Sequence, residues 1–201
     1  MSVDPIAVID HFYREEKELR DMLLKHSCQV RDKALQILDH CEIDLDREAV
    51  ANGALLHDIG ILRCHAPGIL CFGSEPYITH GVIGAEMLRQ YGSENGLDLE
   101  NCARICERHT GSGLSAEDIR IQELPLPEED FLPETTLEIL ICLADKFFSK
   151  SGDMEEKSLE SVRRGMAKFG SASSERFECM CRLFQVDETL PFLADEQNVT
   201  E

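Results

Sequence analysis

His57 and Asp58 stand side by side at the end of the apolar pair Leu55-Leu56 and are followed by Ile59-Gly60. Adjacent residues on a helix point roughly 100° apart, so a cation held by both must sit in the notch between them, near the helix end. Such a cation needs donors from other segments, and His26, His80, His109 and Asp145 are the candidates. Imidazoles and carboxylates without thiolates suit Mn, Fe, Co, Ni or Zn better than soft metals. His26, His57, Asp58 and Asp145 would hold one ion and leave positions for water. Adding His80 and His109 permits a second, with Asp58 giving one carboxylate oxygen to each. Two ions about 3.5–4 Å apart suit in-line displacement at phosphorus, and a bound metal lowers the pKa of its water.

Helices must deliver these donors. Asp46 is placed as the N-cap of a helix with Val50, Ala51, Ala54 and Leu55 on its apolar side, and Gly60 is the expected stop. His26 is expected at the start of a helical pattern carrying Val30, Ala34, Leu35, Ile37 and Leu38, and Pro5 suits the first turn of an N-terminal helix. Residues 61–78, broken by Pro67, Gly68, Gly73 and Pro76, read as one long loop suited to substrate selection. Thr79 is the expected cap of a helix from His80, with Gly92 as its terminator, and another helix covers roughly Leu97 to His109. Ser115 and Asp118 have capping-box spacing, and 124–133 reads as an extended connector. Thr135 or Thr136 then opens the most apolar helix, Leu137 to Ala144, with Asp145 inside it. A carboxylate buried there requires a metal or a hydrogen-bonded cation. Two amphipathic helices within 154–192 read as outer cover, and the polar tail Asp195 to Glu201 as frayed. The expected fold is all-α: one domain over 1–201, with its core at about 20–150.

The chain has 201 residues and a formal net charge of −19. That balance repels nucleic acid and anionic membranes across the surface, so the expected partner is a small anionic, phosphorylated molecule bound where a metal reverses the field. No apolar run approaches a membrane span, and Met1 to Pro5 lacks the basic and apolar regions of a signal peptide, which gives a cytoplasmic expectation. The nine cysteines include no Cys-x-x-Cys pair, and Cys28, Cys102, Cys106 and Cys142 fall in apolar helical patterns as small buried hydrophobes. Cys64 and Cys71 flank the loop after the central motif.

His26, His57-Asp58 and Asp145 resemble the H…HD…D signature of the HD-domain metal-dependent phosphohydrolase superfamily, and His57-Asp58-Ile59-Gly60 is its HDIG variant letter for letter. His80, in Tyr77-Ile78-Thr79-His80-Gly81, and His109, in Glu107-Arg108-His109-Thr110-Gly111, resemble the binuclear branch. That branch holds HD-GYP phosphodiesterases, a bacterial diadenosine tetraphosphate hydrolase and two diiron oxygenases. The similarity runs from about residue 20 to 150. Gly111-Ser112-Gly113 is not the GYP motif, which disfavours cyclic dinucleotides. The resemblance implies one or two divalent metals and hydrolysis of a small phosphoester or phosphoanhydride, of nucleotide type, by metal-activated water. A diiron oxygenase and a non-catalytic metal- or ligand-binding protein are the alternatives. The family places a basic residue close after the HD pair. Here Arg63 is nearest, and Lys146 adjoins Asp145; both are candidate phosphate contacts beside the catalytic Asp58.

Overall fold

The computed structural model describes residues 3–193. The polar tail Asp195 to Glu201, like Met1 and Ser2, lies outside the described residues. Nine α-helices run in order through them: α1 (Pro5–Phe12), α2 (Lys17–His40), α3 (Arg47–Leu56), α4 (His80–Asn95), α5 (Glu100–Arg108), α6 (Ala116–Ile121), α7 (Thr136–Asp145), α8 (Leu159–Met166) and α9 (Ser171–Leu183). The fold class is all-α, as expected.

Local chemistry accounts for most helix starts. The Asp4 carboxylate accepts from the Ile6 and Ala7 N–H groups above Pro5, and Asp46 accepts from Glu48 N–H. Ser115 with Asp118 and Thr135 with Glu138 form reciprocal capping boxes. Helix α7 packs against α2, α3, α5 and α9. Its Leu140, Ile141, Cys142, Leu143 and Ala144 are all fully buried, as its apolar sequence requires. One apolar cluster gathers α7 with α2, α8 and α9, and a second gathers α1, α4 and α5. Helix α3 and the turn after it feed both: Val50 and Ala54 enter the first, Leu56 and, from the turn, Ile59 the second. The His57-Asp58 pair therefore lies between residues committed to two cores.

Several expected boundaries differ. His26 is the tenth residue of α2, not its start, because the chain turns at residues 13–16 and the helix already begins at Lys17. Residues 61–78 are not one irregular loop. Three 3-10 turns, Ile59–Arg63, Pro67–Ile69 and Tyr77–Thr79, are interspersed with short strands β1 (Cys64–Ala66), β2 (Cys71–Phe72) and β3 (Glu75–Pro76). In this small sheet β1 is central, antiparallel to β2 and parallel to β3. Strands of two or three residues carry no legible alternation. Cys64 and Cys71 are fully buried beneath it. Gly92 does not stop α4, which continues to Asn95 and ends at Gly96 with φ +66.

Gly60 also has a different duty from the expected helix stop. It lies in the 3-10 turn, and a Cβ there would sit 2.1 Å from the His80 carbonyl oxygen and 2.4 Å from the Gly84 nitrogen. Gly60 lets the HD turn press directly on the start of α4, which carries His80. Backbone cannot step aside as a flexible side chain can. Gly60→Ala is expected to cost about 3 kcal/mol, lowering the thermal midpoint by about 6–12 °C. Gly68→Ala, with nothing within 4 Å of its Cβ, should shift it by less than about 2 °C, and paired melting curves check both.

Candidate metal centre

The six predicted donors converge. His26 comes from the middle of α2, His57 and Asp58 from the end of α3, His80 from the first turn of α4, His109 from the end of α5, and Asp145 from the last residue of α7. All are buried, Asp58 completely. The donor atoms form two groups that share Asp58: His26, His57, Asp58 and Asp145, then Asp58, His80 and His109. Asp58 Oδ2 lies 3.1 Å from His26 Nε2 and 2.9 Å from His57 Nε2. Its Oδ1 lies 3.3 Å from both His80 Nε2 and His109 Nε2. The carboxylate thus turns one oxygen to each group.

The imidazoles are oriented by their own helices. Nδ1 of His57, His80 and His109 lies 2.7 Å from the carbonyl oxygen three residues earlier, of Ala54, Tyr77 and Cys106. A carbonyl only accepts, so each Nδ1 carries a proton and each ring turns its Nε2 inward, as a lone pair where the ring is neutral. Nε2 of His80 and His109 are 3.1 Å apart. Burial lowers the pKa of both rings, that of His80 to about 3, against the pull of Asp58. At neutral pH no proton bridges these two lone pairs. They face one another across a gap that a cation suits. His57 Nε2 and both Asp58 oxygens lack a well-formed hydrogen bond despite the polar atoms around them. This donor set is compatible with metal binding.

Both carboxylates stay ionised. Burial opposes the charge on Asp58, but His57 and Lys150 overcome it and hold the acid well below its ordinary range. Burial likewise opposes Asp145, and Lys146 with Lys150 overcomes it. Lys146 Nζ sits 2.8 Å from Asp145 Oδ2 and donates to the His109 carbonyl at 2.9 Å. Lys150 is not among the residues expected at the site, yet its Nζ is 2.6 Å from Asp58 Oδ2. A second lysine four residues after Lys146, in so acidic a chain, was the available signal. Tyr77 is a further addition, and its ring stacks on His80 with centroids 4.8 Å apart. Arg63 is not brought in: it is exposed on the 3-10 turn, without an ion pair or side-chain hydrogen bond to the cluster. Lys150, and not Arg63, is the cation that lies beside Asp58.

With this geometry established, comparison with known proteins defines the relationship. The HD domain family matches residues 23–149. The chain belongs to the HD-domain family. It is 34% identical over 139 residues to a tRNA (cytidine(56)-2'-O)-methyltransferase of Picrophilus torridus, covering 69% of this chain and 35% of that protein. It is 32% identical over 156 residues to the protein of the same name from Thermoplasma volcanium, covering 78% and 40%. An uncharacterized protein of Methanocaldococcus jannaschii is 41% identical over 102 residues, covering 51% of this chain and 50% of its own length. The chain spans between about a third and a half of the length of these curated relatives. No solved structure matches.

These names correct the expected activity. Hydrolysis of a small phosphoester or phosphoanhydride is overturned by relatives at 32–34% identity that are named as RNA methyltransferases. The physical reason is that the six donors specify a cation, and a cation activates whichever oxygen is offered to it; the donors do not specify the reaction. Family and relatives together support an enzyme. No helix among the described residues is long and apolar enough to cross a membrane.

The pKa of His57 gives a direct test. Burial works against its protonation, but Asp58 and Asp145 outweigh that and lift it to about 9. Below that pH a metal must displace the proton to use Nε2, so binding releases a proton and strengthens as pH rises towards about 9. Calorimetric titration with Mn²⁺ in buffers of different ionisation enthalpy, at pH 6.5 and 8, should show proton release and tighter binding at pH 8. Equal affinity at both, with no proton released, would count against this set of donors.

Proposed function

We propose that this chain is a metal-dependent HD enzyme unit acting in tRNA ribose 2'-O-methylation. The observation that carries this reading is the alignment of 69–78% of the chain with two relatives named for that reaction. The donor set supports one or two divalent transition ions, from among Fe, Mn, Co, Ni and Zn, on His26, His57, Asp58, His80, His109 and Asp145. Such an ion, when bound, supplies Lewis acidity that lowers the pKa of a coordinated hydroxyl or water.

The chain's own residues then have definite tasks. Asp58 and Asp145 stay ionised and hold positive charge in the pocket. His80 and His109 stay neutral and can accept a proton at Nε2 only by giving up a donor position. Lys146 and Lys150 stay protonated, since Asp145 and Asp58 outweigh the burial that opposes their charge. They offer the positive rim at which an anionic oxygen of the substrate can be fixed. With a net charge of −19 the remaining surface opposes an extended grip on RNA, so contact is confined to such local cationic places.

Because the alignment covers only 35–40% of those relatives, a second reading has support: this unit binds metal and an anionic ligand while sequence outside the matched part transfers the methyl group. Incubation of the metal-loaded protein with tRNA and radiolabelled S-adenosylmethionine, followed by nucleoside analysis, tests the first reading. It predicts 2'-O-methylcytidine in wild type and at least a hundredfold less in Asp58→Ala. Metal and ligand binding without methyl incorporation, under any of the five metals, would overturn it in favour of the second.

A further inference from the structure

A second cavity lies away from the metal centre, where the N-terminal helices meet α4. Its volume is about 700 Å³, within the range of small-molecule sites. The sequence builds it through one turn. Helix α1 ends at Phe12, the chain bends over residues 13–16, and α2 starts at Lys17. The bend brings Arg14, Lys17 and Arg20 to the cavity wall, the last two three residues apart and so on one helix face. Three cations and two acids, Asp10 and Asp21, therefore line the cavity, in a chain with 39 acidic and 20 basic residues.

The cations are not equally committed. Arg20 is held by Asp10 at 2.5 Å and Asp21 at 3.2 Å, the two acids that line the cavity. Arg14 and Lys17 are exposed and make no ion pair with any described residue. Aromatic side chains line the same cavity. The Tyr91 ring packs edge-on against His11, with centroids 4.9 Å apart, and at a tilt against Phe12, at 5.6 Å. Tyr91 is half-buried and His11 exposed, so ring surface remains open to the cavity both residues line. Two free cations suit a phosphate, and open π-faces suit a base. Buried Tyr13 also lines the cavity, and its hydroxyl donates to the Ile59 carbonyl at 2.8 Å.

We infer that this cavity binds a phosphorylated nucleoside, with the phosphate on Arg14 and Lys17 and the base against Tyr91 and His11. The site uses none of the six donors and does not depend on the function proposed above. Free nucleotide and a nucleotide within tRNA present the same chemistry, and the two are separated by experiment.

Equilibrium binding of adenosine 5′-monophosphate, inorganic phosphate and tRNA is measured on the metal-loaded protein, on the double variant Arg14→Glu/Lys17→Glu, on Tyr91→Ala and on Asp58→Asn. All substituted cavity positions are exposed or half-buried, and circular dichroism verifies folding. The expected result is at least tenfold weaker nucleotide binding in the double variant and in Tyr91→Ala, with little change in Asp58→Asn. Inorganic phosphate should weaken only in the double variant. Binding of the free monophosphate points to a free nucleotide. Binding of tRNA alone, lost in the double variant and steeply salt-dependent, points to the polymer. Nucleotide binding lost in Asp58→Asn but untouched by the cavity variants places the ligand at the metal centre and overturns the inference. No binding of either ligand overturns it as well.

Discussion

Two carboxylates and four imidazoles share one buried pocket, and the structure depends on how that polarity is neutralised. Removing an ionised carboxylate from water costs several kcal/mol even after relaxation, unless a charge of opposite sign is supplied. Here the charge comes from Lys146, Lys150 and a protonated His57, each pressed against Asp58 or Asp145. These contacts balance the acids while leaving His80 and His109 with opposed lone pairs. A bound cation would relieve that opposition and compete with the His57 proton. The proton and the metal are therefore alternative occupants of one electrostatic demand.

The scaffold meets this demand mostly with helix ends. A residue at a helix end reaches inward without displacing core side chains, and three rings borrow a carbonyl from their own last or preceding turn to fix Nδ1. His26 is the exception, since it projects from mid-helix. Close backbone approach sets the distances: Gly60 touches the start of α4, and Gly81 approaches the Cys106 carbonyl, where a Cβ would lie 2.4 Å from the oxygen. Two glycines thus bring the turn carrying Asp58 and the helices carrying His80 and His109 within reach of one another. Loss of either approach would separate the donors while leaving each helix intact.

The helical fold was legible because caps and apolar periodicity are local. Asp46, Ser115 with Asp118, and Thr135 each announced a helix that formed, and the apolar density of Leu137 to Ala144 announced the central one. The donors were legible because the HD pair narrows where partners must lie. What escaped is not written in caps or periodicity. The start of α2 is set by the turn at residues 13–16, the sheet at 64–76 rests on pairings of two residues, and α4 passes through Gly92, where the Leu97 carbonyl comes within 2.7 Å of where a Cβ would sit. Lys150 had only its spacing from Lys146 as a signal. Only the folded chain brings it across to Asp58, whereas Arg63, nearer in sequence, faces away into solvent. The reaction itself was the least legible feature, for donors define a cation and not its substrate.

Asp58 therefore stands between two candidate cation positions. Anomalous diffraction from crystals grown with Mn²⁺ or Fe²⁺, collected across the metal edge, tests this most directly. The account predicts two peaks, one on each side of the Asp58 carboxylate, the first among His26, His57 and Asp145 and the second between His80 and His109. A metal-free pocket at saturating metal, or density only at sites remote from Asp58, would contradict it.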